Sequence, residues 1–323
     1  MEPWSKELAG RLDEHELDSA ALAGNPLGDP SRRPLWVYEP PGAKGATLPA
    51  IYLIQGFTGQ VDMWRNRSAF RPSVIELVDD LRAPARVVFV DAWTSLGGSQ
   101  FVDSPAVGNY HTYLCEDVVA FVDQRYPTSA RAIAGKSSGG YGAMITAMLR
   151  PDVFAGLATH AGDALFELCY LTEFPHVARA LRDSYDGSYD AFLDDFRTRP
   201  AFTKASDPVL INTYAMAACY SAGELPFDTT TGQLKPDVWD RWLAWGPVRM
   251  VDTHADALRG LRAIYIDAGT RDEYFLDLGA EAFRRALERI GVTDVFFELF
   301  DAKHGGIEYR YPIALRYLAE RLQ

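Results

Sequence analysis

Ala132-Ile133-Ala134-Gly135-Lys136-Ser137-Ser138-Gly139-Gly140-Tyr141-Gly142-Ala143-Met144 is the stretch whose reading decides the fold. A short apolar run ends in Gly-Lys-Ser-Ser-Gly and enters a helix-like segment through Ile145, Ala147, Met148 and Leu149. Gly135-x-Ser137-x-Gly139 has the form of a nucleophile elbow, a strained strand-to-helix turn that lifts one serine oxygen above a parallel sheet. Glycine suits such a turn, where a Cβ would obstruct the backbone. The following helix would aim its unsatisfied N–H groups at the point where negative charge develops. A motif this short is decided by its context. The alternative is a glycine-rich turn with a solvated serine.

Working outward, the flanking segments alternate between buried strands and helices. Leu48-Pro49-Ala50-Ile51-Tyr52-Leu53-Ile54 is continuously apolar, as a strand covered on both faces must be, and opens into the loop Gln55-Gly56-Phe57-Thr58-Gly59. Residues 69–82 read as a helix through Val74, Ile75, Leu77, Val78 and Leu81. Arg86 to Asp91 reads as a strand, followed by a Gly/Ser-rich loop from Thr94 to Tyr110, and Tyr113 to Tyr126 reads as a helix closed by Pro127. Phe154 to Asp163, Leu261 to Asp267 and Val295 to Phe300 are further strands, separated and followed by helices over 275–290 and 311–322. Strands alternating with helices in this way predict an α/β fold with a mostly parallel, doubly wound sheet. Residues 1–30 suggest an amphipathic helix and lead-in loop, and Pro34 to Glu39 a first strand. Residues 164–258 break the rhythm: they are rich in aromatics, look helical and are too long for a sheet connection, so they read as a cap-like insertion. The core is thus 31–163 plus 259–323. Trp239, Trp242 and Trp245 in the insertion read as packing residues.

Composition narrows the function classes. The 323 residues are 48% apolar with a net charge of −12, which suits a globular protein and argues against a nucleic-acid or anionic-membrane surface. Cys115, Cys169 and Cys219 form neither a disulfide framework nor a metal-ligand pattern. The first residues have no signal-peptide character and no apolar run is long enough for a membrane span, so a cytoplasmic location is expected.

A serine at its ordinary pKa needs a base within hydrogen-bond reach, and that base needs an orienting acid. On this architecture the order should be Ser, acid, His, each on a loop at the carboxyl end of a strand. Of the histidines, His15 precedes the sheet, His111 begins a helix, His176 and His254 fall in the insertion, and His160 ends the strand after the elbow helix. His304 alone follows the last strand, beside Gly305-Gly306, and is the expected base. Asp272, a few residues beyond Ile266, is the favoured acid; Asp267, Glu273 and Asp277 compete. The oxyanion hole should draw one backbone N–H from Ser138 and one from Phe57. Trp93 and Asp163 are candidates for the substrate pocket, and Lys136 is expected at the surface.

These residues resemble the putative esterase family of α/β-hydrolases, which includes S-formylglutathione hydrolases, enterochelin and feruloyl esterases and mycolyltransferases. The likeness runs from about Leu17 to Leu322. It includes the Gly/Ser loop Leu96 to Ser104, the helix from Tyr113 to Pro127 and the elbow. Ser137 matches the family nucleophile, Asp272 its acid and His304 its histidine, which implies an acyl-enzyme mechanism without a cofactor or metal. The chain departs from the pattern in carrying Gln55-Gly56 where relatives commonly have His-Gly, and Gly-Lys-Ser-Ser-Gly at the elbow. The expected activity is hydrolysis of small-molecule carboxylic esters. The same machinery would serve acyl transfer if a bound alcohol replaced water, and a hydrolase fold can also persist as an inactive binding module. Assembly into homo-oligomers is left open.

Overall fold

The computed structural model describes residues 6–323. Eight strands form one sheet in the spatial order β1-β2-β4-β3-β7-β8-β9-β10. They are β1 (Arg11–Asp18), β2 (Arg32–Glu39), β3 (Leu48–Ile54), β4 (Arg86–Val90), β7 (Thr128–Lys136), β8 (Gly156–His160), β9 (Ala263–Gly269) and β10 (Phe296–Phe300), while β5 (Asp103–Ser104) and β6 (Gly108–Asn109) make a separate small ladder. From β4 to β10 every pairing is parallel; β1 and β2 are antiparallel additions at one edge.

The apolar runs explain the layering. Side chains alternate along a strand, so in β3 Tyr52 and Ile54 enter one core while Ile51 and Leu53 enter the other. On one face lie α2 (Tyr110–Thr112), the π-turn Tyr113–Val118 that continues into α3 (Val119–Asp123), and α4 (Ser138–Leu149). On the other lie α1 (Val74–Leu81) and α13 (Tyr311–Arg321). Ser73 caps α1 with a reciprocal capping box through Glu76, which satisfies otherwise orphaned N–H groups of that helix start.

Between β8 and β9 helices joined by loops dominate: α5 (Phe166–Cys169), α6 (Phe174–Tyr185), α7 (Tyr189–Arg197), α8 (Asp207–Ser221), α9 (Pro236–Leu243), α10 (Pro247–Met250) and α11 (Ala255–Arg259); α12 (Leu276–Arg289) then follows β9. Trp239 and Trp242 are buried there, and Trp242 Nε1 donates to Ser221 Oγ at 2.8 Å. Packing, rather than ligand contact, accounts for both.

The expected N-terminal helix is not formed over its described part. Residues 11–18 are a strand paired with β2 from Arg11↔Glu39 to Asp18↔Arg32. The segment is polar on both faces, with Leu17 its one buried residue, so no period-2 apolar signal marks it. Ladder bonds and cross-strand pairs such as Arg11–Glu39 decide its conformation over local propensity. Charged residues are also typical of a sheet edge. Residues 1–5 of the expected helix lie outside the described residues.

Candidate active site

The elbow forms at the carboxyl end of β7. Ser137 sits at φ 59° and ψ −125°, a backbone state costly for a side-chain-bearing residue. Two contacts hold it there: Ser137 N–H donates to His160 O at 2.9 Å, and Tyr141 N–H donates to Ser137 O at 2.8 Å. Gly139 makes the turn fit, because a Cβ at that position would lie 2.4 Å from Ile54 O. Ser138 is the first residue of α4, so its N–H has no partner within the helix and points from the positive end of the helix dipole.

The acid and histidine loops are zipped together beyond the sheet. Thr270 N–H donates to Phe300 O at 2.8 Å and Arg271 N–H to Ala302 O at 2.9 Å. Gly269 permits this approach, since a Cβ there would stand 2.4 Å from Ala302 O. The pairing delivers Asp272 to His304, with Asp272 Oδ2 2.8 Å from His304 Nδ1 and Ser137 Oγ 3.1 Å from His304 Nε2. A carboxylate only accepts, so Nδ1 carries the hydrogen and Nε2 is left to accept from the Ser137 hydroxyl. The Asp272 side chain is fully buried and also takes the Tyr274 N–H at 2.9 Å. Glu273, a competitor for the acid, instead accepts the His304 backbone N–H at 3.1 Å. Tyr274 packs edge-on against the His304 ring, centroids 5.1 Å apart.

Asp267 has a different partner. It accepts from His160 Nδ1 at 2.6 Å, from Tyr265 Oη at 2.7 Å and from Arg310 Nε at 2.8 Å, inside the sheet and behind the elbow. Burial opposes its charge, yet His160, Tyr265 and Arg310 outweigh that and hold its pKa below the usual carboxylate value.

The early loop sits opposite. Thr58 N–H donates to Gly97 O at 2.9 Å, and Gly97 and Gly98 lie flat against the Phe57 ring. With its amide oriented to satisfy both ends, Gln55 donates to Val90 O and accepts from the N–H groups of Ala92 and Trp93. Gln55 therefore ties the loop to the exit of β4. Trp93 contributes a backbone N–H to that clamp, and it does not line the cleft over Ser137, contrary to expectation. Asp163 does line that cleft, of about 400 Å³, together with Phe57, Ser137, Ser138 and His304. The expectation that Lys136 lies at the surface also fails: its side chain is only 17% exposed and faces Glu308 at 4.0 Å. Burial lowers its pKa despite the neighbouring carboxylates, Glu308 first. Tyr170 and Gln100, behind Asp163, carry no sequence signal that would have singled them out.

A family model described as "Putative esterase" matches residues 29–294. The chain belongs to this family. It is a carboxylic ester hydrolase of the α/β-hydrolase fold. The matched range includes Ser137 and Asp272 and ends shortly before His304.

Solved structures similar to this esterase include an S-formylglutathione hydrolase from Agrobacterium tumefaciens, at 19% identity and TM-score 0.59 over 100% of both chains. A fluorophosphonate-binding serine hydrolase, FphF of Staphylococcus aureus, matches at 14% identity and TM-score 0.59, covering 97% of this chain and 98% of its own. A ferulic acid esterase matches at 18% identity and TM-score 0.57 over 98% of both chains. At these identities the likeness is one of fold. No curated protein sequence matches the chain. Among the described residues of the esterase, no helix is long and apolar enough to cross a membrane.

Proposed function

We propose that this esterase cleaves its substrate through a covalent acyl-enzyme on Ser137. The observation that carries the proposal is the unbroken hydrogen-bond chain from Ser137 Oγ through His304 to Asp272. As Ser137 Oγ bonds to the ester carbonyl carbon, His304 Nε2 takes its proton. Asp272 keeps the imidazole in the required tautomer and stabilises the imidazolium, without taking the proton itself. The Phe57 and Ser138 N–H groups face the carbonyl oxygen as it becomes an oxyanion, a contribution of about 3 kcal/mol per donor. Collapse breaks the bond to the alcohol, which leaves with the proton held by His304. Water then enters, gives a proton to His304 and releases the acid, and Ser137 recovers its hydrogen.

The helical insertion acts as the cap of this site. Phe202, Ala205, Pro208, Val209 and Asn212, all from it, line the cleft. The test is Ser137→Ala assayed with p-nitrophenyl butyrate and a fluorophosphonate probe. Turnover should fall by about 10³-fold or more and labelling should vanish. Wild-type hydrolysis by that variant would sink the mechanism.

A further inference from the structure

The cleft over Ser137 carries an unbalanced charge. Its wall includes the carboxylates Asp163 and Glu173 and the rings of Phe57, Tyr170, Phe202 and Tyr274, but among the described residues no lysine or arginine. Asp163 is the unusual member. It is 7% exposed, forms no ion pair among the described residues, and receives the Tyr170 hydroxyl on Oδ2 at 2.8 Å. Behind that hydroxyl stands Gln100, whose Nε2 lies 3.2 Å from Tyr170 Oη and 3.0 Å from Tyr220 Oη. The support around Asp163 is therefore neutral.

A buried carboxylate without a counter-ion is costly, which is why such groups are normally paired. Burial pushes the Asp163 pKa up to about 6, and the Tyr170 hydroxyl and the more distant His304 only partly offset it, the response expected of a carboxylate that has lost water and formed no ion pair. Here the group faces a cavity beside a nucleophile, so a ligand can supply what the chain does not. A neutral donor would satisfy a lone pair and leave the charge unmatched. An anion would be repelled. A cation would be matched twice, because aromatic faces attract cations within about 6 Å of the ring centre.

We propose that this esterase takes esters bearing an ammonium group, seated against Asp163 and the aromatic wall while the ester carbonyl rests on Ser137. The inference rests on the serine mechanism above. The ammonium can belong to the acyl or to the alcohol portion, and paired substrates separate the two. For the alcohol side, butyrylthiocholine is compared with its uncharged isostere S-(3,3-dimethylbutyl) thiobutyrate. For the acyl side, p-nitrophenyl 4-(trimethylammonio)butyrate is compared with p-nitrophenyl 5,5-dimethylhexanoate.

In one pair the charged member should have the higher kcat/KM, by about tenfold or more, and Asp163→Asn should lower that ratio at least tenfold. The ratio within each variant cancels any general loss of activity, so a residue that merely braced Tyr170 would leave it unchanged. A wild-type ratio of one or less in both pairs overturns the proposal, as does an unchanged ratio in Asp163→Asn. If Asp163→Asn does not fold, the wild type carries the test. Butyltrimethylammonium should compete with p-nitrophenyl butyrate at concentrations where hexanoate does not, and equal inhibition by the two overturns the proposal. Fluorophosphonate labelling of Ser137 is independent of substrate charge, so its failure would count against the serine mechanism instead.

Discussion

Two histidine–aspartate pairs in this esterase draw their aspartates from β9 and its exit loop and end in opposite circumstances. His160–Asp267 lies inside the sheet, with both side chains at most 1% exposed and Arg310 and Tyr265 closing round the carboxylate. His304–Asp272 lies beyond the strand ends, its imidazole 16% exposed and its Nε2 turned to Ser137. The local chemistry is the same: a carboxylate accepts from Nδ1 and fixes the tautomer. What differs is the second nitrogen. His160 Nε2 has no hydrogen-bond partner among the described residues, and the imidazole and the Tyr311 ring pack in a T-shaped pair, centroids 5.0 Å apart. A base needs a proton to take and a path for it to leave, and only His304 has both. The inner pair works through the backbone, because His160 O receives the Ser137 N–H and Asp267 O receives the Ala161 N–H at 2.7 Å. In the proposed mechanism the outer pair carries the chemistry, while the inner pair holds the elbow from behind.

Exchanging single atoms in the two pairs should break them differently. Asp272→Asn leaves the shape of the outer pair intact but favours the wrong tautomer, and kcat/KM for p-nitrophenyl butyrate should fall by about 10⁴-fold with little change in melting temperature. His304→Ala should lose a comparable amount, since the three residues act as a unit. A variant of either residue that kept more than a tenth of wild-type kcat/KM would remove it from the mechanism.

Asp267→Asn should reverse the pattern. It strips the charge from a buried pair and leaves His160 and Arg310 facing a neutral amide, a loss of about 3 kcal/mol in stability. Denaturant unfolding of the two variants side by side measures it, and whatever activity falls should fall far less than in Asp272→Asn. The sign with pH is fixed by the lowered pKa of Asp267. Its contribution is fully present above the unfolded carboxylate value near 4 and is lost as pH drops through the folded value. The variant should therefore lack part of the wild-type acid-side slope.

The sequence separates these pairs only in part, for a physical reason. The parallel strands are legible because a strand buried on both faces must be apolar throughout, as Ile51 to Ile54 and Val87 to Val90 are. The meeting of Ser137, Asp272 and His304 is legible because loop position and chain order both follow from that sheet. Asp267 competes for the acid role until the strand order is known. Once β8 and β9 are neighbours, His160 falls opposite Asp267 in register, and that aspartate is taken. β1 is hidden because an edge strand can be polar on both faces and is held by its partner rather than by its own pattern. Trp93 illustrates a further limit: a residue can stand in the right loop and still contribute only its backbone.

Asp163 sharpens the comparison, because among the described residues no histidine or arginine forms an ion pair with it. Asp267 is held below the ordinary carboxylate pKa by its partners, whereas Asp163 is pushed from 3.8 up to about 6, by burial first, with the Tyr170 hydroxyl and His304 working against that rise and Asp272 adding to it. The linkage then has the opposite sign. The folded protein binds the Asp163 proton more tightly than the unfolded chain, so stability falls as pH rises from about 4 and levels off above about 6. A shift of this size corresponds to at most about 3 kcal/mol, and relaxation around the site should reduce it. Asp163→Asn keeps an acceptor for Tyr170 and removes the charge. It should match the wild type near pH 4 and exceed it in stability at pH 8, by about 1–2 kcal/mol, in denaturant titrations at the two values. A variant less stable than wild type at pH 8 would mean that the carboxylate is already matched within the folded chain, and the cleft would then have no charge left for a substrate to balance.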